Sequence, residues 1–195
     1  MPAEFAPADR AIGWRVVRDH PLGLLLLPGG SIVPLPMLGD ESGRLLRGHL
    51  ARANPASSLP SGTEVTVVFL GPHAYVSPTW YSAPRENVPT WNYVIVQMEG
   101  TISWLGEEET HRLLDDMCAR FEAPGGYSLN WVDDARVAAM LREIVGFQIH
   151  VQEMQPKLKL SQNRSLEDRS LVQSHFAQAP SPGPELADWM SGTKR

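Results

Sequence analysis

The chain has 195 residues, 43% of them hydrophobic, with 22 acidic against 17 basic side chains and a formal net charge of -5. That is ample for one compact domain with an extension, and the acidic balance argues against DNA binding through a broad basic face. No apolar run approaches the ~20 residues that span a bilayer, no signal-peptide pattern opens the chain, and the single cysteine, Cys118, excludes an internal disulfide and any multi-cysteine metal site.

The first helix is expected over Asp9–Arg18, with Ile12, Val16 and Val17 as a partial apolar face and His20-Pro21 as its stop. Gly23–Leu27 reads as a buried strand. Pro28-Gly29-Gly30 is a turn signal, and Ser31–Leu35 returns as the second arm of a hairpin. Leu45–Leu50 reads as a strand and Arg52–Pro60 as a loop. Glu64–Phe69 alternates cleanly, with Val65, Val67 and Phe69 on one face. Tyr93–Met98 and Thr101–Trp104 read as two strands joined by a tight turn at Glu99-Gly100.

Glu107–Phe121 carries the clearest helical pattern: three glutamates at the positive end of the dipole, then Leu113, Leu114, Met117 and Phe121 as a buried stripe. A second helix is expected over Asp133–Glu143, a strand over Phe147–Met154 and a closing helix over Leu166–Phe176, with Ser165 and Asp168 as a capping box. One domain over 1–176 is expected to precede a Pro- and Ser-rich, mobile C-terminal tail over 177–195. Short strands separated by turns, with helices between and after them, suggest an antiparallel barrel of mostly-β, α+β class.

Two stretches depart from ordinary strand chemistry: GPHAYVSPTWY at Gly71–Tyr81 and VPTWNY at Val88–Tyr93. A plain core strand needs alternating apolar residues and no Pro. Rigid aromatics beside hydrogen-bonding groups point instead to the wall of a pocket for a flat ligand. Tyr75, Ser77, Trp80 and Tyr81 are candidates in the first stretch, and Trp91, Asn92 and Tyr93 in the second; strand alternation sends about half of such a set into the core. Asn92 and Ser77 are the expected polar contacts, because a buried amide or hydroxyl must find a partner.

Together with RGHLARANP at Arg47–Pro55 and KLKLSQNRSLEDR at Lys157–Arg169, these stretches resemble the PaiB family, often described as FMN-binding negative transcriptional regulators, from about Phe5 to Phe176. The resemblance implies a split β-barrel of the pyridoxamine-phosphate-oxidase type, a homodimer, and a cofactor near the subunit interface. Where that family tends to carry histidines, this chain has Ile32 ahead of Pro34, and Gln97 after TWNY. The motifs are also similar to piperazate synthases, a branch that binds haem b and cyclises N5-hydroxyornithine by joining its two nitrogens with loss of water. The resemblance therefore implies a haem-dependent N–N bond-forming enzyme of secondary metabolism, acting on an amino acid in piperazic acid biosynthesis; the lone cysteine and lack of a signal-peptide pattern make the cytoplasm its expected address. The alternative it implies is FMN: a PaiB-type negative transcriptional regulator or an FMN-dependent oxidoreductase. A haem-binding or haem-degrading protein of the same barrel class is a further reading. No helix-turn-helix pattern supports nucleic acid as a partner.

His49, beside Gly48, is the first candidate for chemistry, since imidazole is a common axial ligand of haem iron. On the flavin reading His49, Arg52 and Asn54 hold the FMN phosphate, which suits a guanidinium. Lys157, Lys159, Ser161, Gln162, Asn163 and Arg164 form a polar segment in which Lys159 or Arg164 can pair with a propionate, a phosphate or a substrate carboxylate. A base for cyclisation would be Lys159 or Tyr93. His73 is read as a turn residue, His20, His111, His150 and His175 as surface residues, and Cys118 as core filling.

Overall fold

The computed structural model describes Phe5 and residues 9–192. Helix α1 (Arg10–Asp19) opens where the Asp9 carboxylate accepts a hydrogen bond from the Ala11 amide at 2.9 Å, and it ends ahead of Pro21, as a pre-proline residue must. Strands β1 (Leu22–Leu26) and β2 (Ile32–Pro36) pair as an antiparallel hairpin. The turn needs Gly29 and Gly30, whose φ angles of 94° and 88° suit no side chain well. The sheet continues with β3 (Leu38–Asp40), β4 (Leu45–Ala51), β5 (Glu64–Val76), β6 (Thr90–Trp104) and β7 (Ile144–Lys159), in the order β2-β1-β5-β6-β7-β4-β3. Both edges are blunt. β2 lacks donors at Pro34 and Pro36, and β3 has three residues.

Three strands are longer than the sequence suggests. β5 runs through Gly71-Pro72, which the strand rule treats as a stop. Gly71 and Pro72 are both buried, so the alternation set by Val65, Val67 and Phe69 changes phase there, as at a bulge. In β7 the consecutive exposed residues Gln152 and Glu153 reset the alternation in the same way. β6 is continuous over 15 residues, and the turn expected at Glu99-Gly100 does not form. Gly100 is required there for another reason: a Cβ would collide with the His150 carbonyl.

Two compact units divide the chain, one of residues up to His20, Phe69–Gln97 and from Gln155 onward, the other of Pro21–Val68 and Met98–Met154. The second unit buries Leu25, Leu46, Val67, Met98, Ile102, Phe147 and Ile149. It carries α2 (Glu107–Phe121) and α3 (Asp134–Glu143), the latter capped by Asp133. The Thr110 hydroxyl donates to the Gly106 carbonyl at 2.8 Å and accepts from the Gly146 amide at 3.2 Å, fixing α2 to β7. The buried positions of α2 are Thr110, Leu113 and Met117. Phe121, expected in that stripe, is 45% exposed, and Cys118 is only half-buried. Partial desolvation, then the nearby carboxylates of Asp115 and Glu122, push the Cys118 thiol up.

The first unit buries Phe69, Val76, Val94, Val96, Leu158 and Leu160, and carries α1, α4 (Leu166–Gln178) and α5 (Gly183–Gly192). Of the tail expected over 177–195, Gly183–Gly192 forms α5, and 193–195 lie outside the described residues. Leu186, Trp189 and Met190 recur at helical spacing and are buried, so an apolar stripe overrides the Pro- and Ser-rich composition. Gln173 donates to the Ala187 carbonyl at 3.0 Å and Arg169 to that of Met190 at 2.9 Å. His20 meets Glu185 at 2.6 Å, and the Arg15 guanidinium lies 3.9 Å from the Trp189 ring centre. No described helix is long and apolar enough to cross a membrane.

Candidate functional site

The three strands β5, β6 and β7 of the first unit have two faces of opposite chemistry. Along β6, Asn92, Val94 and Val96 are buried, while Trp91 is 51% exposed and Tyr93 half-buried. On β7, Leu158 and Leu160 point inward, leaving Lys157 and Lys159 on the other side. On β5, His73 and Tyr75 are exposed. Contacts link several of these residues in pairs. The His73 and Trp91 rings lie 6.1 Å apart at 28°, and Tyr75 meets Trp91 edge-on at 6.4 Å. The Lys157 ammonium stands 5.6 Å from the Tyr93 ring centre, and Lys159 donates to the Thr90 hydroxyl. The outer side of these strands thus carries exposed aromatic rings with the Lys157 ammonium beside one of them.

The inner face is closed. Asn92 is 0% exposed; its amide donates to the Ser161 hydroxyl at 3.1 Å and approaches the Met190 sulfur at 3.8 Å, while Ser161 donates back to the Asn92 carbonyl oxygen at 3.2 Å. Ser161 adopts φ 63°, a left-handed conformation uncommon for a residue with a side chain. The Gln162 amide accepts from the Leu160 amide and donates to the Leu158 carbonyl, both at 2.6 Å, extending the strand pattern beyond its end. Asn92, Ser161 and Gln162, expected to contact a ligand, thus satisfy one another and the backbone. Arg164 donates to Asn87 at 2.7 Å and lies 4.8 Å from the Tyr81 ring centre, whose hydroxyl is buried without a partner. Asn163 is exposed.

Ser77 caps the short turn Pro78–Trp80 by accepting from the Thr79 amide at 3.2 Å, so its hydroxyl has a local structural use. Trp80 stacks on His175 at 4.9 Å and meets Phe176 edge-on, docking this turn on α4. The capping box is half realised. Ser165 accepts from the Asp168 amide at 3.1 Å, but the Asp168 carboxylate turns to Ser82, accepting from its amide at 2.8 Å and its hydroxyl at 2.9 Å. Those bonds hold the Asp168 carboxyl below the usual range.

His49 belongs to the second unit. β4 buries Leu46, Gly48 and Leu50 and turns Arg47 and His49 to the opposite side, with His49 facing Gly146 across the ladder. Gly48 is needed because a Cβ would lie 2.7 Å from the Phe147 ring. The Nδ1 atom of His49 is buried without a partner, and desolvation holds the imidazole below its ordinary pKa, hence neutral at pH 7. Arg52 and Asn54 do not gather around it as a phosphate cradle. Arg52 donates from Nε to the Arg142 carbonyl at 2.9 Å, and the Asn54 side chain accepts from the Ala56 amide at 3.0 Å to cap the turn Pro55–Ser58. A cleft of about 580 Å³ in the same unit, between Glu107, His111, Leu129 and Leu141, is lined by none of the residues the motifs single out.

The surface missed from the sequence is that of His73 and Lys157 joined to Tyr75, Trp91, Tyr93 and Lys159. Alternation counted from a buried Asn92 turns Trp91 and Tyr93 outward, and counted from buried Leu158 it does the same for Lys157 and Lys159. Ile32, at one of the family's histidine positions, is 57% exposed on the edge strand.

Residues 1–153 match the family described as "Putative FMN-binding domain", and the chain belongs to that family. It is 35% identical over 176 residues to "Protease synthase and sporulation protein PAI 2" of Bacillus subtilis, an alignment covering 86% of this chain and 84% of that protein; the resemblance to PaiB holds. Two solved structures share the fold with TM-scores of 0.61. The FAD and heme binding protein of Mycobacterium smegmatis is 19% identical, with 79% of this chain and 73% of that one covered. The flavocytochrome Anf3 of Azotobacter vinelandii is 12% identical, with 85% and 75% covered. The fold shared with them is α+β, a seven-stranded sheet with five α-helices among the described residues.

Proposed function

We propose that this protein binds FMN on the aromatic–lysine face and serves as a flavin-dependent oxidoreductase. The observation that supports this reading is that Trp91 and Tyr93 alternate outward on β6, with His73 and Tyr75 in ring contact with Trp91, the Lys157 ammonium over Tyr93, and Lys159 on the same side of β7 as Lys157. Exposed aromatics offer an isoalloxazine a stacking surface with little rotamer entropy to lose. Two ammonium groups offer a phosphate charge-assisted hydrogen bonds. When bound, the flavin supplies hydride transfer; these side chains position it and balance its charge. Trp91 and Tyr75 are in contact and about half exposed, an apolar pair that a second copy of the chain would cover, so the cofactor is expected to lie at the interface of a cytoplasmic homodimer.

The test is reconstitution with FMN followed by gel filtration. Flavin co-eluting with a dimer at one per chain supports the reading; flavin eluting free of the protein, with the protein folded, contradicts it.

A second reading rests on His49. Its neutral ring with an unpaired, buried Nδ1 is a feature that FMN does not explain, and a neutral imidazole is the form that ligates iron. Bound there, haem would supply Lewis-acid chemistry for piperazate-type cyclisation, in which the N–O bond of N5-hydroxyornithine breaks, an N–N bond forms and water leaves, with no external electrons. Of the two bases suggested by sequence, Lys159 is bonded to Thr90 and Tyr93 lies under Lys157. A Soret band lost in His49→Ala, with loss of cyclisation, would favour haem over flavin.

A further inference from the structure

We infer that His73 makes the aromatic–lysine face selective for a planar ligand bearing an N–H donor on its ring edge over one bearing none. This rests on the flavin reading above. His73 follows Gly71-Pro72 in β5, and its Nδ1 lies 3.1 Å from the Gly71 carbonyl oxygen. A carbonyl oxygen only accepts, so Nδ1 carries the proton. In the neutral imidazole Nε2 then holds a lone pair and can only accept. The ring is exposed and inclined 28° to the Trp91 plane. Of the other polar side chains read on this side of β5, β6 and β7, Lys157 and Lys159 can only donate, and the hydroxyls of Tyr75 and Tyr93 can do either. His73 is thus the side chain of this surface that accepts without donating.

The consequence is chemical discrimination among flat ligands. An oxidised isoalloxazine has one ring donor, the imide N3–H between two carbonyls, and Nε2 complements it. A porphyrin edge carries carbon-bound hydrogens and ionised carboxylates; the lysines can meet the carboxylates, but nothing on the edge donates to His73. The same acceptor lowers the affinity of any flavin whose imide is blocked, because the site's polar atom is then left unpaired on a covered surface.

The experiment is a ligand–residue cycle using FMN and N3-methyl-FMN as probes, read by flavin fluorescence, on the full chain and on His73→Phe and His73→Gln. Phenylalanine keeps a ring beside Trp91 without an acceptor; glutamine returns an acceptor oxygen. N3-methylation is expected to weaken binding to the unaltered protein roughly tenfold, a typical result of losing one partnered polar group. It should change binding to His73→Phe by less than about twofold on the same basis, and His73→Gln should regain part of the discrimination. An equal methylation penalty in the unaltered protein and in His73→Phe overturns the assignment while the flavin reading stands. No binding of FMN to the folded, unaltered protein overturns the flavin reading and this inference with it.

Discussion

Trp91 and Asn92 are adjacent in the chain and have opposite surroundings: Trp91 is 51% exposed on an aromatic–lysine surface, and Asn92 is 0% exposed beneath α5. Both belong to the TWNY motif. The same division runs through the KLKLSQ segment, where Lys157 and Lys159 stay with the outer surface and Ser161 closes on Asn92. A single motif can thus serve two purposes, one residue in two holding the fold and the other presented to a ligand. What separates Trp91 from Asn92 is the two-residue period of the strand; Ser161 shares the parity of Lys157 and Lys159 and turns inward because it lies past the end of β7 with φ 63°.

Substitutions on either side of β6 test that division, and the largest effect is expected inside. Asn92→Ala strips the buried Ser161 hydroxyl of its partner and leaves a void, so denaturant unfolding should show a loss of about 2–3 kcal/mol. The folded fraction should bind FMN within about twofold of the unaltered protein; a stability change near zero would break the comparison. Trp91→Ala should do the reverse, weakening FMN about tenfold, as an exposed aromatic anchor does, while shifting stability by no more than about 0.5 kcal/mol. Lys157→Gln with Lys159→Gln should lower affinity several-fold and flatten its dependence on ionic strength, measured by titration between low and high salt.

The smallest effect concerns His49, whose folded pKa lies below its unfolded one because burial disfavours the cation. The unfolded chain then takes up the proton first, so stability falls as pH drops through about 6.5, the ordinary histidine value. The fall ends below the lowered folded pKa. His49→Leu should remove that acid limb in chemical denaturation at a series of pH values.

Helices α1 to α4 and the cores of most strands were legible because caps, periodicity and turn residues agreed with the fold. Asp9 before α1 and Asp133 before α3 are such cases. Strand ends were not. Gly71-Pro72 and Glu99-Gly100 look like breaks, but a phase change in one case and a close backbone approach to His150 in the other keep the strands running. The three-residue β3 has no pattern of its own to find. α5 was hidden because composition averaged over the tail conceals three well-spaced apolar residues. At the candidate site, residue types were readable and facing was not. Asn92, Ser161, Arg52 and Asn54 have the chemistry of ligand contacts but satisfy protein groups. His73 reads as a turn residue until the strand is seen to continue through the proline.

The most direct test titrates FMN, by fluorescence quenching, into the unaltered protein, Trp91→Ala and Asn92→Ala side by side under conditions where all three are folded. Loss of affinity confined to Trp91→Ala is the result expected if the ligand lies on the outer face of β6. Loss confined to Asn92→Ala, or equal affinity in all three, would contradict that placement.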